Sequence, residues 1–166
     1  MKRLMRETYL QTIRNSCGSL LFRNVYVEND DGKTTDILEN GNLSCAIFVT
    51  SILCMFGKID SRHATVGGTV KALSQAGWSE VQLDQLEEGD IIVWENITNP
   101  NGELHGHIGF YLGKELAISN SSENGFPIIH HWQYNGSRKI IQAFRHAWPA
   151  EPISSASSTS QAPHST

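Results

Sequence analysis

Residues 44–57, SCAIFVTSILCMFG, are apolar on nearly every side, with Thr50 and Ser51 the clearly polar positions before Gly57. A helix that is hydrophobic all round has to be enclosed by the rest of its protein. A buried strand competes for any apolar run, but a length of about a dozen residues closed by glycine favours the helix. Such a helix needs other layers around it, and the downstream sequence offers them as strands. IIVW (91–94) follows the turn-like EEGD, and then come HIGFYLG, LAISNSS, PIIHHW and KIIQAF, short apolar runs separated by turn formers. Helices first and an antiparallel sheet afterwards make an α+β chain, with the buried helix packed on the sheet.

The flanking segments are simpler. Residues 2–15 space Leu4, Met5, Tyr9, Leu10 and Ile13 as a short amphipathic helix ending near Ser16–Gly18. Residues 28–42 are rich in Gly, Asp and Asn and read mostly as loop, and 69–76 suggest another short helix closed by Gly77. Residues 150–166 are Ser, Thr, Ala and Pro with almost no apolar bulk, so a disordered tail is expected after a single domain over 1–149.

Composition narrows the function classes. The 166 residues, 39% of them hydrophobic, suffice for one ordinary core and not for two large ones. A net charge of -4 with scattered Lys and Arg offers no basic face for nucleic acid. No run approaches the roughly 18 apolar residues of a membrane span, and the charged N-terminus lacks a signal-peptide core. The expected setting is therefore the cytoplasm, with release or secretion by a non-classical route the alternative, and the expected state a monomer. Cys17, Cys45 and Cys54 are odd in number without CxxC spacing, which argues against a disulfide framework or a structural zinc site.

Cys45 opens the buried helix. Free N–H groups and the positive end of the helix dipole favour a thiolate there, and the same groups could hold an oxyanion. A buried structural cysteine is the plainer reading. Cys54, mid-helix, reads as core, and Cys17 sits in a turn without a base. On HIGFYLG, alternation sends Ile108, Phe110 and Leu112 to the core and His107, Gly109 and Tyr111 to the opposite face. A two-residue hairpin turn after this strand places Asn120 beside His107, where its side-chain oxygen would orient the imidazole. A three-residue loop or a bulge brings Ser119 there instead. His105 and His107 also face the same way, as two imidazoles gripping a metal do, with His130 or His131 as a further ligand. Gly89–Asp90 is explained by a tight turn, and Trp94 either lines a groove or closes the sheet.

In order, NLSCAIFVTSIL, EEGDIIVWE, HGHIGFYLG and LAISNSS resemble the CHAP and NlpC-type papain-like cysteine amidohydrolases, over roughly residues 41–145. Departures are Ser44 where NlpC-type enzymes usually carry Asp, and no Gln in the lead-in Glu39–Leu43, where Asn42 could stand in as oxyanion donor. The resemblance implies a papain-like fold without cofactor or metal. It implies a cysteine peptidase or amidase acting on a peptide or peptidoglycan fragment through Cys45 as nucleophile, His107 as base and acid, and Asn120 as the orienting residue. Two other classes compete: a non-catalytic papain-like module that binds a peptide or partner, and a metal-binding protein using His105 and His107.

Overall fold

A computed structural model describes residues 2–98 and 102–148; the expected tail at 150–166 lies outside the described residues. Over the described residues the architecture is α+β, with three α-helices and a six-stranded antiparallel sheet. Helix α1 spans Met5–Asn15, α2 Cys45–Met55 and α3 Val66–Gln75. Strands β1 (Tyr26–Glu28) and β2 (Thr34–Asp36) form a small separate hairpin. The main sheet comprises β3 (Ser79–Glu80), β4 (Ile91–Thr98), β5 (Leu104–Gly113), β6 (Leu116–Ser121), β7 (Phe126–His131) and β8 (Ile140–Arg145), ordered β3-β8-β4-β5-β6-β7. Among the described residues no helix is long and apolar enough to cross a membrane.

Helix α2 is as enclosed as its sequence requires. Ala46, Ile47, Phe48, Val49, Ile52 and Leu53 are all buried, and Thr50 spends its hydroxyl on the Ala46 carbonyl at 2.8 Å. The helix ends because Gly57 takes a positive φ of 61°, so that its N–H and that of Lys58 bond back to the Cys54 and Leu53 carbonyls. Phe48 meets Phe110 of β5 edge-to-face at 5.5 Å, and Tyr9 of α1 meets Phe110 at 6.0 Å. Ile91, Val93, Ile108, Phe110, Ile118 and Phe144 complete this core from the sheet. The opposite face carries a smaller cluster of Ile92, Trp94, Ala117, Ile140 and Ala143, edged by Tyr111, Trp132 and Tyr134.

Two stretches differ from expectation. Part of 28–42 pairs as the β1–β2 hairpin; its exposed strands are only three residues long and carry no alternation to read. Helix α3 begins at Val66 rather than 69, because the Thr65 hydroxyl caps the Gly68 N–H at 3.1 Å and draws both Gly67 and Gly68 into the first turn. Asp90 does more than turn the chain: it is buried, and its carboxylate accepts from Arg145 Nε and Nη2 at 2.9 and 2.7 Å and from the Glu87 N–H at 2.8 Å.

Candidate active site

The loop leading into α2 is tightly specified. Glu39, Asn40 and Gly41 all have positive φ, at 50°, 58° and 96°. At Gly41 glycine is obligatory twice over, since a Cβ would also lie 2.5 Å from the Gly125 backbone. Asp36 organises the approach by accepting from the N–H groups of Val25, Leu38 and Asn40 and from Asn24 Nδ2. Desolvation alone would raise this carboxyl, but the four hydrogen bonds outweigh it and hold the pKa at about 2. Arg23 Nε ties down the Asn40 carbonyl and Ser122 Oγ the Asn42 carbonyl. The outcome is a fixed position for Cys45, the first residue of α2.

Strands β5 and β6 pair from Gly113 back to Gly109 opposite Ser119. One residue beyond that last pair, the Ile108 N–H comes near enough to the Cys45 thiol to favour its anion, as does the Ala46 N–H of the helix terminus. The nucleophile candidate is thereby placed one residue along β5 from His107. Burial pushes the Cys45 thiol up, while these N–H groups and the nearby Arg138 guanidinium pull in the opposite direction. All three cysteines are free thiols; Cys17 is exposed, and Cys45 and Cys54 are half-buried.

His107 is 8% exposed, with its ring 5.2 Å from that of Trp94, the residue directly across on β4. Its Nε2 lies 2.8 Å from Ser119 Oγ. Burial, then the charge of Arg138, then His130 depress its pKa to about 3. At rest Cys45 is thus a neutral thiol and His107 a neutral imidazole.

Asn120 does not meet His107. It is 2% exposed on the other side of β6, and its Nδ2 donates to the Gly41 carbonyl at 2.7 Å, clamping the loop before Cys45. The hairpin explains the substitution of partners. Lys114 and Glu115 form the two-residue turn, both with positive φ, but an irregularity between Tyr111 and Gly113 inserts one extra residue. Such a bulge reverses which residues of β6 share a face with His107. Ser119 therefore comes to His107, as the bulged alternative anticipates.

Three groups around this pair were not assigned a role in it from sequence. His130 Nε2 is 2.8 Å and the Tyr134 hydroxyl 3.1 Å from the same Ser119 Oγ, and the two rings stack at 4.2 Å. Arg138 is held by the Glu95 and His105 carbonyls, which accept from its Nε and Nη2. Trp94 is fully buried beneath His107 and donates its Nε1–H to the Trp132 carbonyl, so it closes the sheet. Asn42 donates to Glu39 Oε2 at 2.8 Å. His105 Nε2 lies 3.6 Å from Glu103 Oε2, and among the described residues no group of three His, Cys, Asp or Glu is arranged to hold a metal.

No known protein-family model matches the chain, and comparison with curated proteins finds no match either. The chemistry has to be read from the arrangement itself.

Proposed function

We propose that this chain is a thiol-dependent hydrolase of amide bonds with a papain-like fold, using Cys45, His107 and Ser119. The observation that carries the reading is the meeting of a helix-terminal cysteine with the β5 segment that bears a buried histidine. The second ring nitrogen of that histidine is already engaged by a serine hydroxyl. A nucleophile, a base and a group orienting the base are the parts that acyl transfer requires.

In the proposed reaction the Cys45 thiol gives its proton to His107 Nδ1, and the sulfur attacks the substrate carbonyl. Because both partners rest uncharged, the ion pair forms at the moment of attack, with the Ile108 and Ala46 N–H groups and Arg138 favouring the anion. The oxyanion draws on the N–H groups at the start of α2. His107 returns its proton to the leaving nitrogen as the C–N bond breaks, leaving a thioester on Cys45. Water, losing a proton to His107, then adds to the thioester, and the thiol is regenerated as the carboxylic acid departs. Within this class we assign the substrate to a peptidoglycan stem peptide or its amide link to the glycan, the reading that the ordered motifs favour.

The test uses an internal reference. Exposed Cys17 reports ordinary thiol reactivity, so iodoacetamide labelling of Cys45 relative to Cys17, followed by peptide mass spectrometry, isolates the effect of the site. His107→Ala is expected to slow Cys45 labelling at pH 7 by roughly tenfold or more, the scale of a lost general base, with Cys17 unchanged. Release of new amines from muropeptides should then require Cys45. Labelling of Cys45 that is indifferent to His107 removes the catalytic reading and leaves a binding module.

A further inference from the structure

Ser119 Oγ has three neighbours and one hydrogen. Its partners are His107 Nε2 at 2.8 Å, His130 Nε2 at 2.8 Å and the Tyr134 hydroxyl at 3.1 Å. A hydroxyl donates once and accepts twice, so all three directions follow once its single donated bond is located. The other nitrogen of His130 locates it. His130 Nδ1 lies 2.8 Å from the His131 carbonyl, which can only accept, so Nδ1 carries the proton and Nε2 of the neutral ring is a bare lone pair. Burial holds His130 toward the neutral form. The Ser119 hydrogen must then point to His130, and both His107 Nε2–H and Tyr134 O–H must donate to Ser119.

We propose that His130, acting through Ser119, is the positioning residue that locks His107 in the Nε2–H tautomer and so keeps Nδ1 free as the proton acceptor for Cys45. The inference rests on the thiol-hydrolase reading above and adds to it a fourth member that never touches substrate. The hydrogen-bond line starts at the His131 carbonyl and passes through His130 and Ser119 to His107. Its value is directional: without an acceptor at His130 Nε2, Ser119 is free to donate to His107 Nε2. That reversal puts the proton on Nδ1 and removes the base. The same line stabilises the imidazolium formed during attack, because His107 Nε2–H then donates to an oxygen already polarised by its own donation to His130.

The test combines tautomer and reactivity in four full-length proteins: wild type, His130→Phe, His130→Gln and His107→Ala. Phenylalanine keeps the stack on Tyr134 and removes the acceptor; the glutamine carbonyl oxygen can restore it. Long-range proton–nitrogen correlation spectra of ¹⁵N-histidine-labelled protein report the His107 tautomer without any turnover. The expected result is Nε2–H in wild type and His130→Gln, a shift to Nδ1–H in His130→Phe, and a roughly tenfold slower Cys45 labelling in His130→Phe alone of these three. If folded His130→Phe keeps the Nε2–H form while His107→Ala still slows Cys45, the proposal falls and the hydrolase reading stands. If the tautomer shifts but Cys45 labelling ignores His107 altogether, the hydrolase reading falls and takes the proposed role of His130 with it. Should His130→Phe lose its native near-ultraviolet dichroism, the wild-type tautomer decides: Nδ1–H there overturns the proposal outright, and Nε2–H lost in Ser119→Ala supports it.

Discussion

Acid should unfold this protein through His107 well before its carboxylates protonate. The folded ring, buried and faced by Arg138 and His130, titrates at about 3, whereas the unfolded chain offers an ordinary histidine near 6.5. Between those values the unfolded state binds the proton and the folded state does not, so stability rises with pH across the window and falls on acidification. By pH 5 the folded ring is still neutral, and the loss is set by the unfolded state alone: about 2 kcal/mol relative to pH 7.5. If native structure persists to pH 3, the accumulated loss reaches about 4 kcal/mol, a large share of the stability of many small domains. The measurement is urea unfolding by far-ultraviolet dichroism at pH 7.5 and 5.0, in wild type and in His107→Gln, whose amide can still donate to Ser119 Oγ. Asp36, His130 and other titrating groups occur in both proteins, so the difference between the two pH dependences isolates His107. We expect the variant to lose about 2 kcal/mol less than wild type on going to pH 5. Equal losses in the two proteins would refute the reasoning, because they would mean that His107 can be protonated in place.

Two further outcomes follow from packing. Gly109→Ala places a Cβ 2.5 Å from the Ile118 carbonyl oxygen and 2.8 Å from Ser119 Cβ. The β5–β6 ladder must shift, and chemical denaturation should show a cost of about 2–3 kcal/mol. Asp90→Ala strips Arg145 of its bidentate carboxylate and leaves the Glu87 N–H without its acceptor. A loss of about 2–3 kcal/mol by the same assay is expected, and Arg145→Lys, which cannot reproduce the fork, should recover less than half of the wild-type margin.

The parts of the fold that could be read in advance share one property: each is written in a run longer than its own local exceptions. The all-round apolar character of 44–57 requires enclosure, and Gly57 ends the helix within the reach of simple backbone sterics. Alternation along HIGFYLG assigns His107 to the face opposite Phe110, which is where Trp94 meets it. The partner of His107 was not legible, because face membership on β6 depends on one inserted residue near Leu112, and nothing in YLGKEL distinguishes the bulged hairpin from the plain one. His130, Tyr134 and Arg138 were harder still. They reach the site through the register of β7 and an irregular segment after it, neither of which has a periodicity to follow.

The chain assembles its site from two very unequal distances. His107, Ser119 and His130 are linked by contacts only 12 and 11 residues apart, on three strands joined by tight turns. Cys45 comes from 62 residues upstream of His107. Closing that long loop is entropically slower than zipping a local meander. The strand-borne histidine and its hydrogen-bond partners can therefore pair locally while the Cys45 thiol is still remote. Until α2 docks, Cys45 lies away from the Ile108 N–H and the Arg138 guanidinium that favour its thiolate in the folded chain. A chain in which α2 has not docked lacks both the thiol and the buried face against which Ile108 and Phe110 pack.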